Sequence, residues 1–304
     1  MSALRSPDEI RDVNTRYHDV AAASYDSKWG IDFGDVGRSQ VLGKVRKLLP
    51  ADEVSAGFER ALEIGSGTGY FSLNLVQAGL INHVSCTDIS PGMVETLTDN
   101  ARRLGLGERV SGTRADAESL PFADASFDLV LGHAVLHHLP DLKTAFDEFH
   151  RVLRPGGRII FAGEPSKVGD RLARLPKAAA RLLAPVWRAA VRASPAPDAA
   201  ENDHDHSLEG FVDIHAFLPE QLIELAREAR FTDINVRGEE LLANWFGWFN
   251  RALEASADPV DVPFLWRKYA FHGYIALQRV DVRVLEPRLP PALFYNLLLS
   301  ARRP

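Results

Sequence analysis

Three glycines, Gly65, Gly67 and Gly69, follow a short apolar run in the segment LEIGSGTGY (62–70). Alternate glycines let a chain turn tightly and leave no Cβ between its backbone and a ligand. A helix starting after such a loop aims its free N–H groups and positive dipole end at whatever is bound there. The spacing is G-x-G-x-G, not the G-x-G-x-x-G of dinucleotide sites, and no lysine follows as a phosphate loop requires. An acid, Glu63, stands two residues before the first glycine. A tight turn without a ligand could use the same glycines, so the neighbours must decide. Asp88 closes the next strand-like run, about 20 residues after Gly69, where a carboxylate can accept both hydroxyls of a ribose. Asp116 follows the third such run, where an adenine amino group would lie. Either aspartate alone could be a helix cap or turn residue. Together, at successive strand ends, they point to an adenosyl-bearing ligand.

Four longer motifs extend the pattern: LEIGSGTG (62–69), CTDISPGMVE (86–95), RADAESLPFADASFDLVLGHAVLHHLPD (114–141) and HRVLRPGGRIIFAGEP (150–165). Taken together they resemble the class I S-adenosylmethionine-dependent methyltransferases, in the type 11 group that includes ubiquinone- and menaquinone-type enzymes. The likeness covers residues 58–165 well and 218–282 loosely. It implies an α/β fold with a Rossmann-like, doubly wound, seven-stranded sheet whose last strand is antiparallel. It also implies S-adenosyl-L-methionine as cofactor, with S-adenosyl-L-homocysteine as product. By position, the Gly65–Ser66–Gly67–Gly69 backbone would hold the methionine part, and Glu63 would orient the loop and the methionine amine. Asp88 would take the ribose hydroxyls, Ile89 and Met93 would flank the adenine, and Asp116 and Ala117 would meet its edge. His133 would lie beside the transferable methyl. The segment 15–29 often closes over the cofactor in this family, which makes Tyr17 and Tyr25 lid contacts; ordinary packing of a helical cap accounts for them equally well. GHAV (132–135) stands where an Asn/Asp-Pro-Pro-aromatic signature would mark a planar-amine target.

A sulfonium methyl is already electrophilic, so the protein must place a nucleophile about 3 Å away and in line with the departing sulfur. Excluding water helps where charge is lost in that step. A hydroxyl acceptor would also need a base, and histidine suits neutral pH. His133, His137 and His138 are the candidates, with His133 best placed. Glu164 is a second candidate at the same rim, although a helix-start or ion-pair role explains it too. His204, His206 and His215 stand among Asp203 and Asp205; a solvated charged loop explains them, and no metal is expected.

Trp245, Phe246, Trp248 and Phe249 crowd one short stretch. That much aromatic area belongs in a core or in the wall of an apolar pocket. Trp245, Trp248 and Phe249, with His137 and Glu164, are the expected acceptor pocket, and an apolar or lipid-like small molecule is the expected substrate. Residues 170–193 carry six bases against one acid, with leucines between them. Such a helix can lie on a membrane, but packing on its own domain is the favoured reading.

These residues need a scaffold. Apolar strand-like runs at 61–64, 83–89, 109–113, 127–133 and 158–164 alternate with helical patterns at 70–79, 93–105 and 145–153, which means a parallel sheet covered on both faces. The pattern resumes with a helix at 218–229 and strands at 231–240 and 274–282. The expected organisation is a helical cap (1–50), a cofactor-binding core (51–165), an insertion (166–217), a second part of the core (218–282) with an aromatic lid (241–270), and a tail (283–304). The chain has 304 residues, net charge −6, 25% charged and 46% hydrophobic residues, which excludes a disordered, collagenous or rod-like protein. Mild acidity argues against a nucleic-acid footprint. A single cysteine, Cys86, makes no internal disulfide, and the opening MSALRSPDEIRDV has no apolar run; the expected location is the cytoplasm. The oligomeric state is not legible. Two other readings stand beside the methyltransferase: a nicotinamide-dependent oxidoreductase, and a non-catalytic or regulatory S-adenosylmethionine-binding protein on the same fold.

Overall fold

The computed structural model describes residues 6–22, 25–26, 30–196 and 214–304. Its helices are α1 (Pro7–Ala21), α2 (Asp35–Leu48), α3 (Ala51–Ala56), α4 (Tyr70–Gln77), α5 (Pro91–Arg103), α6 (Leu142–Val152), α7 (Lys167–Val191), α8 (Pro219–Glu228), α9 (Leu242–Glu254) and α10 (Phe264–Val280). Its strands are β1 (Phe58–Ile64), β2 (Ile81–Asp88), β3 (Val110–Arg114), β4 (Phe127–His133), β5 (Leu153–Pro165), β6 (Thr232–Glu239) and β7 (Asn296–Arg302). They form one sheet in the order β3-β2-β1-β4-β5-β7-β6. β7 runs antiparallel to both neighbours, and the pairs among β1–β5 are parallel.

The central strands are apolar because both faces are covered. On one face Leu62, Ile64, Val130 and Phe161 pack under α6 and α8 through Phe146, Phe149 and Leu222. On the other, Ala61, Leu129, Leu131 and Ile160 pack under α2, α4 and α5 through Val45, Phe71 and Leu97. This is the doubly wound architecture that the alternating pattern predicts.

The last strand is elsewhere than expected. Residues 274–282 are not a strand: 274–280 finish α10, and 281–285 continue as a π turn. Alternation over nine residues does not separate strand from helix when the run continues upstream, and here the helix begins ten residues earlier. The seventh strand lies within 283–304, the expected tail. Its sequence NLLLSAR lies between β5 and β6 with Leu297–Ala301 buried, so its centre is mostly apolar and lacks the two-residue rhythm of a half-exposed strand.

Three helices stand apart from the two layers. α7 follows β5, α9 follows β6, and α10 leads back to β7, so all spring from the rim formed by the carboxyl ends of the parallel strands. Ala180, Ala184 and Trp187 of α7 pack on Leu253, Ala257 and Val262. α1 lies across the start of α5, where Asp19 accepts hydrogen bonds from the Gly92 N–H (3.0 Å) and the Ser90 hydroxyl.

Candidate functional site

A cleft of about 740 Å³, part of it open to solvent, lies at the carboxyl ends of β1, β2 and β4. That is the switch point of a doubly wound sheet, where ligands bind in such folds. Its floor is the glycine loop. Gly65 has φ +57° and Gly67 φ +51°. A Cβ on Gly65 would come within 2.2 Å of Val135 Cγ2, so only glycine fits both the left-handed backbone and the packing. Asp88 stands beside the loop, buried. Its Oδ2 accepts the Gly67 N–H and its Oδ1 the Ser90 N–H, each at 2.9 Å. Burial raises its pKa, opposed by His18 and by those two N–H groups. The hydroxyls of Ser66 and Thr68, in the same loop, are buried without a hydrogen-bond partner among the described residues. The glycine backbone and the fixed carboxylate form a cradle for a polar ligand, and the Ser66 and Thr68 hydroxyls lie behind it, off the cleft wall.

Ile89, Asp116 and Ala117 wall the far end. Asp116 is already paired: Arg11 Nε lies 2.8 Å from its Oδ2, and the Glu118 N–H donates to its Oδ1 at 3.0 Å. Arg11 also bridges to Glu118. His133 lines the near end, with the rings of Tyr70 and Phe71 at 5.3 and 5.5 Å. Its burial, with the Lys44 charge nearby, pushes its pKa down to about 3. It is therefore neutral across the physiological range and a weak base.

Of the residues singled out in the sequence, the cleft brings together Tyr25, Gly65, Gly67, Asp88, Ile89, Asp116, Ala117, His133 and His138. Others stand behind the wall. Met93 is fully buried with Ala21, Ala22 and Tyr25 under α1. Tyr17 is buried with its ring edge-on to His18, and Gly69 caps α4. Glu63 faces α4, with its Oε2 3.8 Å from Cys86 Sγ. Glu164, a candidate base in the sequence, is fully buried. It accepts the N–H groups of Val135 (2.9 Å), Leu136 (3.0 Å) and His137 (3.2 Å), and pairs with His137 Nδ1 at 2.8 Å. It anchors the turn after β4. Trp245, Trp248 and Phe249 lie on α9, off the cleft wall. Trp248 carries Lys177 Nζ 3.7 Å over its ring, and Phe249 packs into the core of the helical block. His204 and His206 lie outside the described residues, and His215 Nε2 sits 3.0 Å from the Leu139 carbonyl. Among the described residues no cluster of histidine, cysteine and acid side chains is arranged to hold a metal.

Sequence reasoning missed Arg11, Asn14 and His18, which line the cleft from α1. Their spacing of three and four residues puts them on one helix face, a signal present in the sequence. His18 also meets His138, another lining residue, edge-on at 5.6 Å.

Residues 62–161 match the family model of a methyltransferase domain. They are a class I S-adenosylmethionine-dependent methyltransferase domain. A demethylmenaquinone methyltransferase from Clavibacter sepedonicus is 42% identical over 102 residues, covering 34% of this chain and 40% of that protein. A malonyl-[acyl-carrier protein] O-methyltransferase from Geobacter sulfurreducens is 34% identical across 50% of this chain and 52% of its own length. The chain thus spans about half, or less, of these relatives. Among solved structures, a phosphoethanolamine N-methyltransferase from Haemonchus contortus in complex with S-adenosyl-L-methionine has a TM-score of 0.59 at 17% identity, covering 99% of this chain and 61% of that one. That likeness bears on the fold.

Two predictions arise here. Arg11 joins α1 to the methyltransferase domain at the edge of the cleft, and it is partly solvated. Arg11→Ala is expected to weaken S-adenosylhomocysteine binding about fivefold, and added salt should erase most of that difference. Isothermal titration at low and high salt checks this. Glu63 gives a pH signature. Desolvation raises its pKa from 4.5 to about 8. A carboxyl held neutral by the fold contributes stability that is complete below its unfolded pKa and is lost as pH rises toward the folded value. Glu63→Gln should therefore raise the melting temperature at pH 8 and leave it nearly unchanged at pH 4. A larger gain at pH 4 than at pH 8 would contradict the assignment.

Proposed function

We propose that the chain transfers a methyl group from S-adenosylmethionine to a small-molecule acceptor. The observation that carries this is the pairing of a left-handed glycine loop with a buried carboxylate that two backbone N–H groups hold in place. The residues fit the cofactor: Asp88 suits the ribose diol, the Gly65–Gly67 backbone suits the amino-acid end, and Ile89 and Ala117 give apolar walls to the adenine. When bound, the cofactor supplies an electrophilic methyl on a positively charged sulfur. The chain contributes position and dryness. Tyr25 and the α1 face bearing Asn14 and His18 cover the cleft, and Tyr70 and Phe71 back His133. Because Arg11 already occupies Asp116, the adenine edge is read by the neighbouring backbone of Ala117 as much as by that carboxylate.

His133 holds no proton at neutral pH and attracts one weakly. Acceptors that arrive with a reactive electron pair, such as an amine, a phenolate or an activated ring carbon, suit such a site better than an alcohol. The names of the quinone-type relatives are consistent with an apolar acceptor. The test is profiling with a methyl-labelled cofactor against cell extract fractions, alongside calorimetry. Submicromolar to micromolar cofactor binding with label transferred to an extractable small molecule supports the reading. No binding of the cofactor overturns it. Binding without transfer to any fraction favours the non-catalytic alternative.

A further inference from the structure

α10 reads FLWRKYAFHGYIALQRV, and not one of its residues is buried. Phe264 is 75% and Leu265 76% exposed. On α7 the pattern is similar. Ala173, Ala180, Ala184 and Trp187 face the molecule, while Leu175, Leu182 (82% exposed) and Val186 point outward. Helical spacing places these three outward residues in one stripe, and Arg174, Arg181 and Arg188 in a second stripe along its flank. α7 carries six bases and one acid, and α10 three bases and no acid, on a chain whose net charge is −6. Arg171, Arg181, Lys268 and Arg279 form no ion pair with any described residue. An apolar stripe flanked by arginines, of which Arg174 meets only Asp170 at 3.8 Å and Arg181 no acid among the described residues, is the layout of a helix lying in a lipid headgroup layer. A protein partner would need matching acids and a complementary groove. No described helix is long and apolar enough to cross a bilayer.

We propose that the outer faces of α7 and α10 dock the chain on an anionic bilayer surface, with the leucines and phenylalanines in the interface and the arginines against acidic headgroups. The sequence reading that α7 only packs on its own domain covers its inner face alone. Both helices spring from the rim where the cleft lies, so docking would bring that rim toward the membrane. The inference does not depend on the reaction at the cleft.

The test is co-sedimentation of the full chain with vesicles of phosphatidylcholine alone and of phosphatidylcholine containing about one-third phosphatidylglycerol. Binding to the anionic vesicles alone, weakened by high salt, is expected. Each positive charge removed, as in Arg174→Ala or Arg181→Ala, should lower partitioning about fivefold. Leu182→Glu with Val186→Glu should abolish binding. Those positions are exposed, so the melting temperature and S-adenosylhomocysteine affinity should stay at wild-type values, which separates this claim from the one about the cleft. No binding to anionic vesicles, or binding that survives Leu182→Glu with Val186→Glu, overturns the proposal. So does a dimer in sedimentation analysis that the same double variant splits, since a second copy would then be what covers the face.

Discussion

Asp88→Asn is expected to weaken S-adenosylhomocysteine binding about a hundredfold or more, because hydrogen bonds from a ribose diol to a charged acceptor contribute about 1.5–3 kcal/mol each. Asp88→Ala would disturb the fold as well as the binding. The carboxylate also takes the Gly67 and Ser90 N–H groups, and Asp88→Ala would leave both donors unpaired at a cost of about 1–3 kcal/mol each. Asparagine keeps one acceptor oxygen and most of the volume, so it is the cleaner probe of binding. Calorimetry gives the affinity, and thermal melting in the absence of ligand gives the stability. An unchanged Kd for Asp88→Asn would remove the ribose assignment and, with it, the reading of the cleft.

Glu164→Ala should act on stability more than any other substitution at the rim. Three consecutive backbone N–H groups and the His137 ring converge on this one fully buried carboxylate. Removing one partner of a buried charged network costs about 3–5 kcal/mol. For a chain of this size that lowers the melting temperature by roughly 10 °C. Glu164→Gln separates anchoring from proton transfer. It retains a carbonyl acceptor for the turn, so an anchoring residue predicts a partial loss of stability with turnover kept within about tenfold. A well-folded Glu164→Gln variant with no turnover would instead make this carboxyl the base.

The parallel core was legible in the sequence because each of its features is local. An apolar run, a turn and, except after β3, a helix follow one another within about thirty residues, and the acids fall at strand ends that the runs define. Asp88 and Gly67 are in hydrogen-bond contact in the structure, as their places in two successive strand-to-helix turns imply. What was hidden is set by pairing across long distances. Nothing near Asn296 tells that it will lie opposite Pro165 and Glu239. NLLLSAR therefore looks like a greasy tail, and YIALQRVDV, with its alternation, looks more like a strand. Glu164 shows the same limit at a single residue. Its type and its place on the rim suit a base, and only the turn that folds back over it reveals four donors waiting. The aromatic cluster on α9 follows suit: its composition fits a pocket wall, but Lys177 and the packing of α7 occupy it. His133 is placed as expected, yet its low basicity comes from burial and from Lys44, ninety residues upstream.

The position of β7 bears on how the protein is made. Among the described strands, β6 has β7 as its only neighbour in the sheet. A growing chain that has not yet reached Asn296 therefore carries β5 with an open, apolar edge and β6 with nothing to pair with. Unpaired strand edges of this kind are sticky. The parallel half can assemble as it emerges from the ribosome, whereas the second half must wait for a strand synthesised some sixty residues after β6. During that interval helper proteins that shield nascent chains have an exposed target, and a message truncated there would yield a product prone to aggregate, even with its glycine loop already formed.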